Sequence, residues 1–523
     1  MSILESFVCG RWQAGTGKTS ELHDPTTGEV IARCGTGGVD MKATLAYARD
    51  VGGKALRAMT FAQRAAMIEA ASKAIFAHRD ALIELAIRNG GNTRKDAKFD
   101  IDGATGTLAA YAGWGKALGD VFAMQDGDGI QLGRTPRLWG VHVLLPRRGA
   151  AVHVNAFNFP AWGLAEKAAL AWLAGMPVVT KPASATALVA ERIVRILVDA
   201  KVLPDGALSF LCGSAGDLLE HLDGQDVLAF TGSADTGYLL RSKERLLRRS
   251  VRVNVEADSL NSAVLAPDVE PGSETWNLFL RDVVTDMTQK AGQKCTAIRR
   301  VLVPTSRLED VRGELVARLS AIKFGNPADE GVGMGPLATA SQLADATAGV
   351  TKLLAESEIV FGSLEEPALV GATPGKGWFL GPVLLQAKDT KTSRIVHEHE
   401  VFAPVSTLLP YDGTAAMAAE VVRRGEGSLV ASVFTNDRDF AREMALEIGP
   451  WHGRLYMGSE NMASQSPGPG TVLPGTVHGG PGRAGGGEEL GGFRGMALYQ
   501  QRTAIQGDRA LLEKMFPPPV KPA

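Results

Sequence analysis

The sequence predicts an α/β protein built on a largely parallel sheet. Between residues 150 and 256, short apolar runs alternate with helical segments; examples of the runs are AAVHV (150–154), PVVTKP (177–182) and VLAFTGS (227–233). Strands buried on both faces have such continuous apolar runs, and the intervening helices supply the crossovers of a parallel sheet. A second mixed α/β stretch extends from about 260 to 460, so the 523 residues are sufficient for two or three domains.

The segments on either side of this region have other patterns. Apolar residues recur every three or four positions over 40–116, which indicates helices, one of which should end at Gly90-Gly91. Residues 130–146 alternate around a Gly-Arg-Thr-Pro turn and predict a hairpin that could pair elsewhere, including on another subunit. The glycine-rich segment 466–492 could be a flexible linker, but no domain-sized stretch follows it. We therefore expect an ordered loop over a site.

Composition argues against several classes of function. A net charge of −2 and a pI near 6.5 give no basic surface for nucleic acid or an anionic membrane. The most apolar long stretch, 161–180, contains Glu166 and Lys167 and favours a buried helix followed by a strand over a membrane span. The N-terminus has no signal-peptide pattern, and four cysteines are too few for a disulfide framework. We therefore predict a cytoplasmic protein.

Cys295 lies in the loop-like stretch AGQKCTAIRR and has two interpretations. An isolated cysteine is usually a small buried hydrophobe. A nucleophilic cysteine needs help to ionise, and Lys294, Arg299 and Arg300 could supply that help if their charges point inward.

Asn158 and Glu256 follow strand-like runs and are equally ambiguous by themselves. Asn158, before Phe159-Pro160, could be a helix N-cap, or its amide could bind a developing oxyanion. Glu256 ends the run VRVNVE and could be a solvent-facing loop residue or a general base.

Three other motifs suggest ligand binding. FTGSADTG (230–237) places a glycine-containing turn between a strand and a helix, where it could attract a phosphate or form a plain tight turn. Lys181, in KPAS (181–184), also ends a strand, where a lysine is most often solvated. His397 and His399 form an HxH pair, but no CxxC or HExxH accompanies it, so we predict no metal site.

In chain order, these motifs resemble those of the aldehyde dehydrogenase superfamily: NFP (158–160), KPAS, FTGSADTG, EADSL (256–260), GQKC (292–295) and EVFAPV (400–405). The resemblance implies the fold of that family, with a Rossmann-like cofactor domain, a mixed α/β catalytic domain and a small β oligomerisation arm. It implies that Cys295 is the nucleophile, Glu256 the base and Asn158 the oxyanion donor. The cofactor-binding residues that it implies are Phe157, Lys181, Ser184, Gly213, Phe230, Gly232, Ser233, Glu400 and Phe402.

The same resemblance implies domain boundaries, and the 130–145 hairpin suggests at least a dimer, so we predict a homodimer. The cofactor domain should comprise residues 1–127 and 148–257, and the catalytic domain residues 258–475. Residues 128–147 and 476–523 should form the oligomerisation arm and the C-terminal loop and tail.

Two motifs depart from the common family pattern. Ala257-Asp258-Ser259 replaces Leu-Gly-Gly, and Ala403 replaces the glycine of Phe-Gly-Pro-Val, so backbone details near the nicotinamide are open. VEADSLNSAVL, AGQKCTAIRR and HGGPGRAGGGEELGG resemble a subgroup that oxidises semialdehydes attached to coenzyme A during aerobic aromatic degradation, including that of benzoate.

The cofactor and the fate of the acyl group also follow from the resemblance. Many NAD-using relatives carry a glutamate at the position of Ser184, so the sequence predicts NADP, with weaker use of NAD. Glu256 favours hydrolysis over transfer of the acyl group to free coenzyme A, because the acylating branch typically lacks this glutamate. The alternatives are a general or acylating aldehyde dehydrogenase, a non-redox cysteine thioesterase and a non-catalytic binding protein.

Overall fold

A computed structural model describes residues 2–516. Met1 and residues 517–523, at the ends of the first and last predicted segments, lie outside the described residues. In chain order, the strands are β1 (Ser2–Val8), β2 (Arg11–Ala14), β3 (Ser20–His23), β4 (Val30–Cys34), β5 (Met124–Gln125), β6 (Ile130–Gln131), β7 (Leu138–Pro146), β8 (Ala151–Val154), β9 (Val178–Lys181), β10 (Leu208–Phe210), β11 (Val227–Thr231), β12 (Arg252–Glu256), β13 (Ser262–Leu265), β14 (Arg300–Pro304), β15 (Phe324–Gly325), β16 (Ser357–Phe361), β17 (Leu369–Val370), β18 (Val383–Ala387), β19 (Val405–Tyr411), β20 (Ser428–Phe434), β21 (His452–Gly458), β22 (Val477–Gly480), β23 (Gly487–Leu490) and β24 (Gln500–Asp508).

The α-helices of the same residues are α1 (Met41–Tyr47), α2 (Gly53–Arg57), α3 (Phe61–Phe76), α4 (Arg79–Gly90), α5 (Arg94–Leu118), α6 (Trp162–Ala174), α7 (Ala187–Asp199), α8 (Ala234–Arg241), α9 (Glu244–Arg248), α10 (Glu274–Thr288), α11 (Leu308–Ser320), α12 (Ala340–Leu353), α13 (Ile395–Glu398), α14 (Ala415–Arg423), α15 (Arg438–Ile448), α16 (Phe493–Met496) and α17 (Arg509–Met515). Helix α4 ends at Gly91, which has the left-handed φ of 65° that a C-terminal glycine permits. The predicted helical region and this helix end are confirmed.

The first large sheet positions the cofactor-side residues. Its strand order is β12-β11-β8-β9-β10-β1-β4-β3, and the five strands from β12 to β10 are parallel. The register pairs Val154 with Lys181 and with Phe230, and it pairs Thr231 with Glu256. The carboxyl ends of these strands therefore meet at one edge, which is where open α/β sheets bind ligands.

The second large sheet positions the loop that contains Cys295. Its order is β16-β18-β19-β14-β13-β20-β21, and every pairing except that of β16 with β18 is parallel. Because β13 and β14 are adjacent, the chain between them, which contains Cys295, must return to the edge of the sheet. The predicted α/β fold with two sheets is confirmed.

Helix α6 explains the most apolar stretch of the sequence. The helix is buried on nearly all sides and ends at Gly175, and β9 follows it, as predicted. The indole nitrogen of Trp172 donates a 3.0 Å hydrogen bond to the carbonyl of Ala207, so even its bulkiest residue is satisfied inside the core. Among the residues that the structure describes, the helices are too short or too polar to cross a bilayer.

The predicted hairpin is present in a smaller sheet. Strand β6 pairs with β7, and β7 pairs antiparallel with β24 from Pro146 opposite Gln500 to Leu138 opposite Asp508. The main partner of this arm within the chain is thus the C-terminal strand. Pairing with another subunit remains a prediction.

The glycine-rich segment is ordered. Strands β22 and β23 form an antiparallel ribbon, and β22 contacts β20 and β21 while β23 contacts β12. The expectation of an ordered loop is confirmed, and the flexible-linker alternative is wrong. Gly453, in β21, allows the crossing, because a Cβ there would lie 1.8 Å from the carbonyl oxygen of Gly479.

This close approach gives a stability test. We expect Gly453→Ala to push the ribbon away from β21 and lower the free energy of unfolding by about 1–3 kcal/mol. Gly449→Ala is the matched control, because its Cβ would meet only Leu455 at an ordinary 3.8 Å. The control should change stability by less than about 0.5 kcal/mol in the same denaturant titration. Equal losses in the two variants would contradict the close packing of ribbon and strand.

Candidate active site

The Cys295 loop is held in an unusual backbone conformation. Lys290, Ala291 and Gly292 have positive φ values of 55°, 52° and 68°. A side chain at Gly292 would collide with the carbonyl oxygen of Ala403 at 2.3 Å. Strain of this kind persists only where the surroundings impose it.

Asn261 and Arg299 impose this conformation. The Asn261 amide donates to the carbonyls of Cys295 at 2.8 Å and Ala297 at 2.9 Å. The Arg299 guanidinium donates to the carbonyls of Ala403 at 2.7 Å and Gly292 at 2.9 Å. The position of the thiol is therefore fixed by buried hydrogen bonds on both sides of the loop.

The basic residues near Cys295 in sequence are engaged elsewhere. Lys294 Nζ lies 2.7 Å from Asp286 Oδ1, and the Arg300 guanidinium donates to the carbonyls of Leu260, Val421 and Val422. Arg299 holds backbone carbonyls, as described above. Lys294 and Arg300 are therefore bound away from the thiol, whereas the Arg299 guanidinium still interacts electrostatically with Cys295. Burial, and then the charge of Glu256, raise the pKa of the Cys295 thiol well above its usual value.

Glu256 and His478 are the groups that face the thiol. His478 Nε2 lies 3.9 Å from Cys295 Sγ and 3.1 Å from Glu256 Oε2. The second contact has the distance of an ion pair but not the angles of a hydrogen bond, so Glu256 Oε2 is buried without a hydrogen-bond donor among the described residues. That oxygen can therefore accept a hydrogen bond from a water molecule.

The pKa of Glu256 is lowered, whereas the pKa of an isolated buried carboxyl group would be raised. Burial raises it, but the charges of His478 and Lys167 outweigh burial and lower the pKa to about 2. Burial alone would predict a raised pKa for this glutamate, and His478, which was not identified from the sequence, is the main reason that the direction is reversed.

Asn158 lines the same cavity as Cys295 and Glu256. Its Nδ2 donates one hydrogen bond to the Gln293 carbonyl at 3.0 Å, and an amide nitrogen carries a second hydrogen. The N-cap interpretation is wrong: α6 starts at Trp162, whose backbone N–H is capped instead by the Asp100 carboxylate at 2.8 Å.

The rest of the substrate cavity is mainly apolar. Phe99, Phe159 and Trp162 form aromatic walls, and Gly470 and Val472 come from the glycine-rich segment. That segment therefore does lie over a site, as expected.

Three buried charges behind the cavity were missed by sequence reasoning. Lys167 Nζ lies 3.2 Å from Glu166 Oε1 and 3.1 Å from Glu489 Oε2. Burial, opposed by Lys167, raises the pKa of Glu489 to about 7, so this carboxyl can exchange a proton near neutral pH. The only available signal was two adjacent charges, at 166 and 167, inside an apolar helix.

A second cleft, of about 420 Å³, opens at the carboxyl edge of the first sheet and reaches Cys295, Glu256 and Asn158. Of the predicted cofactor residues, it is lined by Phe157, Lys181, Phe230, Gly232, Ser233, Glu400 and Phe402. Ser184 and Gly213 are not among the lining residues. Ser184 begins a short helical turn one residue beyond Ala183, which does line the cleft, and Gly213 packs against Gly35.

These residues fit a dinucleotide. Gly232 and Ser233 lie at the cleft just before α8, and Lys181 supplies a cation there that suits a phosphate.

The residues that depart from the family pattern make defined hydrogen bonds. The Asp258 carboxylate accepts a 3.0 Å hydrogen bond from the Ala234 N–H at the start of α8, and the Ser259 N–H donates to Glu400 Oε2 at 3.0 Å. Burial raises the pKa of Glu400 to about 7. Ala403 offers its carbonyl to Arg299. Both motifs therefore still orient the 256–260 and 400–403 segments around the cleft.

The two histidines of the HxH pair lie in different environments. His397 Nδ1 lies 3.0 Å from Arg300 Nη1 inside the core, whereas His399 lies beside Glu400 in a shallow surface depression. Glu256, Cys295 and His478 have ligand atoms within 4.8 Å of one another, a spacing that could accommodate a metal ion. The absence of a resident metal stays a prediction.

Comparison with known proteins gives one consistent family. The model of the Aldehyde dehydrogenase family matches residues 12–501. The chain is 44% identical over 470 residues to 3,4-dehydroadipyl-CoA semialdehyde dehydrogenase of Aromatoleum evansii, covering 90% of this chain and 91% of that one. It is 27% identical over 469 residues to D-glyceraldehyde dehydrogenase (NADP(+)) of Thermoplasma acidophilum, covering 88% of each.

Solved structures agree on the fold. The chain is similar to 3,6-anhydro-L-galactose dehydrogenase, with a TM-score of 0.84, 21% identity and coverage of 97% of this chain and 100% of that one. It is also similar to an NAD⁺ complex of aldehyde dehydrogenase from Bacillus cereus, with a TM-score of 0.82, 22% identity and coverage of 97% and 96%.

Proposed function

The chain belongs to the aldehyde dehydrogenase family, and we propose that it oxidises a coenzyme A-linked semialdehyde to the corresponding acid with NADP. The proposed substrate is 3,4-dehydroadipyl-CoA semialdehyde, formed during benzoate degradation. The observation that carries this choice is the 44% identity to the Aromatoleum evansii enzyme over nearly the whole of both chains.

The first half of the reaction needs a nucleophile and an oxyanion site. The Cys295 thiolate adds to the aldehyde carbon, and the Asn158 amide donates its second hydrogen to the new alkoxide. The nicotinamide cofactor, when bound, accepts the hydride that this adduct loses. Loss of the hydride leaves a thioester on Cys295. Phe157, Lys181, Gly232, Ser233, Glu400 and Phe402 would hold the cofactor, together with Ser184.

The second half needs a base. Glu256 Oε2 takes a proton from water as the water attacks the thioester, the carbon–sulfur bond breaks, and the acid leaves. An acylating enzyme, which transfers the acyl group to free coenzyme A, is the alternative within the family. The buried Glu256 oxygen without a donor supports hydrolysis, because only hydrolysis requires the activation of water. A non-redox thioesterase would not need the second cleft, because it binds no nicotinamide cofactor.

The assembly and the compartment are also proposals. Tyr238, Leu239 and Leu247 are 73%, 61% and 64% exposed on α8 and α9, an apolar surface that supports a homodimer. All four cysteines are free thiols, which supports the reducing cytoplasm.

The substrate is tested by following cofactor reduction over simple and coenzyme A-linked aldehydes. We expect kcat/KM to be highest for a medium-length semialdehyde attached to coenzyme A, without any requirement for free coenzyme A. The same aldehydes without the coenzyme A group are the control. Equal kcat/KM for both sets would refute the substrate proposal, and dependence on free coenzyme A would favour the acylating alternative.

Ser184 tests the choice of cofactor. A glutamate there would face the 2′-phosphate of NADP, and like charges about 4 Å apart repel by about 1–4 kcal/mol, depending on the dielectric. Ser184→Glu should therefore raise KM for NADP at least about fivefold more than KM for NAD. Ser320→Glu, on the exposed end of α11, is the matched control. An unchanged NADP/NAD ratio in Ser184→Glu would remove Ser184 from cofactor selection.

A further inference from the structure

His478 contacts both groups of the proposed covalent chemistry but has no task in it. Its imidazole is 4% exposed. His478 lies in β22 of the glycine-rich ribbon, next to the loop that contains Cys295. Nε2 lies 3.9 Å from the attacking sulfur and 3.1 Å from the carboxylate of the base. A side chain in this position interacts with the reacting atom itself.

The charges around Cys295 explain why such a residue is needed. Glu256 and Glu166 raise the pKa of the thiol by repulsion, and so does Glu400 from the cofactor side. Lys167, a buried cation close by, is already shared between Glu166 and Glu489. Lys294 and Arg300 are bound elsewhere, as described above, whereas the guanidiniums of Arg299 and Arg454 do interact electrostatically with Cys295. A thiolate would therefore form beside three carboxylates, and His478 is the cation whose contact with the sulfur atom is direct.

We propose that His478 is a catalytic residue: its imidazolium lies against Cys295 and Glu256 and supplies the positive charge that allows the thiol to ionise. The inference rests on Cys295 being the nucleophile, as proposed above, and not on the identity of the aldehyde. In this step the S–H bond breaks, the electron pair stays on sulfur, and the proton leaves to solvent. His478 keeps its own proton throughout.

The protonation state of His478 agrees with this role. Burial alone lowers the pKa of an imidazole, but the Glu256 carboxylate outweighs burial and raises the pKa of His478. Glu166 acts in the same direction and Arg454 opposes it. The ionised Glu256 carboxylate thus favours the imidazolium form of His478. Cys295, Glu256 and His478 titrate as one coupled group.

The alternative is a positioning role in which the imidazole only holds Glu256 in place through their 3.1 Å contact. The two roles predict different pH behaviour. His478→Gln places a neutral N–H donor near the position of Nε2, so it preserves positioning and removes charge. His478→Lys preserves charge and changes the donor geometry.

The test is the pH dependence of Cys295 alkylation by iodoacetamide in the full chain, with the peptide containing Cys295 identified by mass spectrometry. A positive charge at this distance lowers the pH at which a thiol is half ionised. Removing the charge of His478 should therefore raise the pH midpoint of Cys295 alkylation. We expect His478→Gln to move the alkylation midpoint up by about 1–3 pH units and His478→Lys to remain closer to wild type. His78→Gln, at an exposed position between α3 and α4, should match wild type.

NADP binding reports whether each variant is folded, and His478→Asn replaces His478→Gln if the latter is not. A midpoint that is unchanged in the neutral variants would overturn the proposal and leave His478 a positioning residue. Full turnover after complete alkylation of Cys295 would instead refute the proposed covalent mechanism, so the two failures are distinguishable.

Discussion

The buried guanidinium of Arg299 is the interaction on which the site depends. It is 4% exposed and binds the carbonyls of Gly292 and Lys294 on the nucleophile loop, and the carbonyl of Ala403 beside the cofactor cleft. Leaving a buried charged donor without its partner is costly, so these hydrogen bonds tie the loop to the 400–403 segment. Burial lowers the pKa of Arg299, and the Glu400 carboxylate opposes this change. The same contact thus couples the thiol to the nicotinamide side of the cleft.

Three separate parts of the chain meet around this contact. The parallel sheet contributes Glu256 at its carboxyl edge, the loop between β13 and β14 contributes Cys295, and the glycine-rich ribbon contributes His478. The ribbon can approach β21 this closely because Gly453 has no side chain. Close packing therefore requires glycine at position 453, and this packing places His478 beside Cys295.

The sequence predicted the strands and the principal site residues because these are local features. The apolar runs of β8, β9 and β11 are continuous, and the ordered motifs around Asn158 and Cys295 each occupy only a few residues. His478 could not be found in the same way: its segment has no periodicity, and its contact with Cys295 spans 183 positions. The Lys167–Glu489 pair is equally distant in sequence. Since both contacts act on Glu256, the direction of its pKa change also required the tertiary structure.

The central claim is that Cys295 carries the acyl group and Glu256 removes it. The most direct measurement is a single-turnover reaction of Glu256→Gln, with intact-protein mass spectrometry of the product. Hydride loss depends on Cys295, whereas hydrolysis depends on the base, so we expect about one equivalent of reduced cofactor followed by a stall with the acyl group on Cys295. Steady-state turnover near that of wild type, with no acyl adduct, would contradict the account.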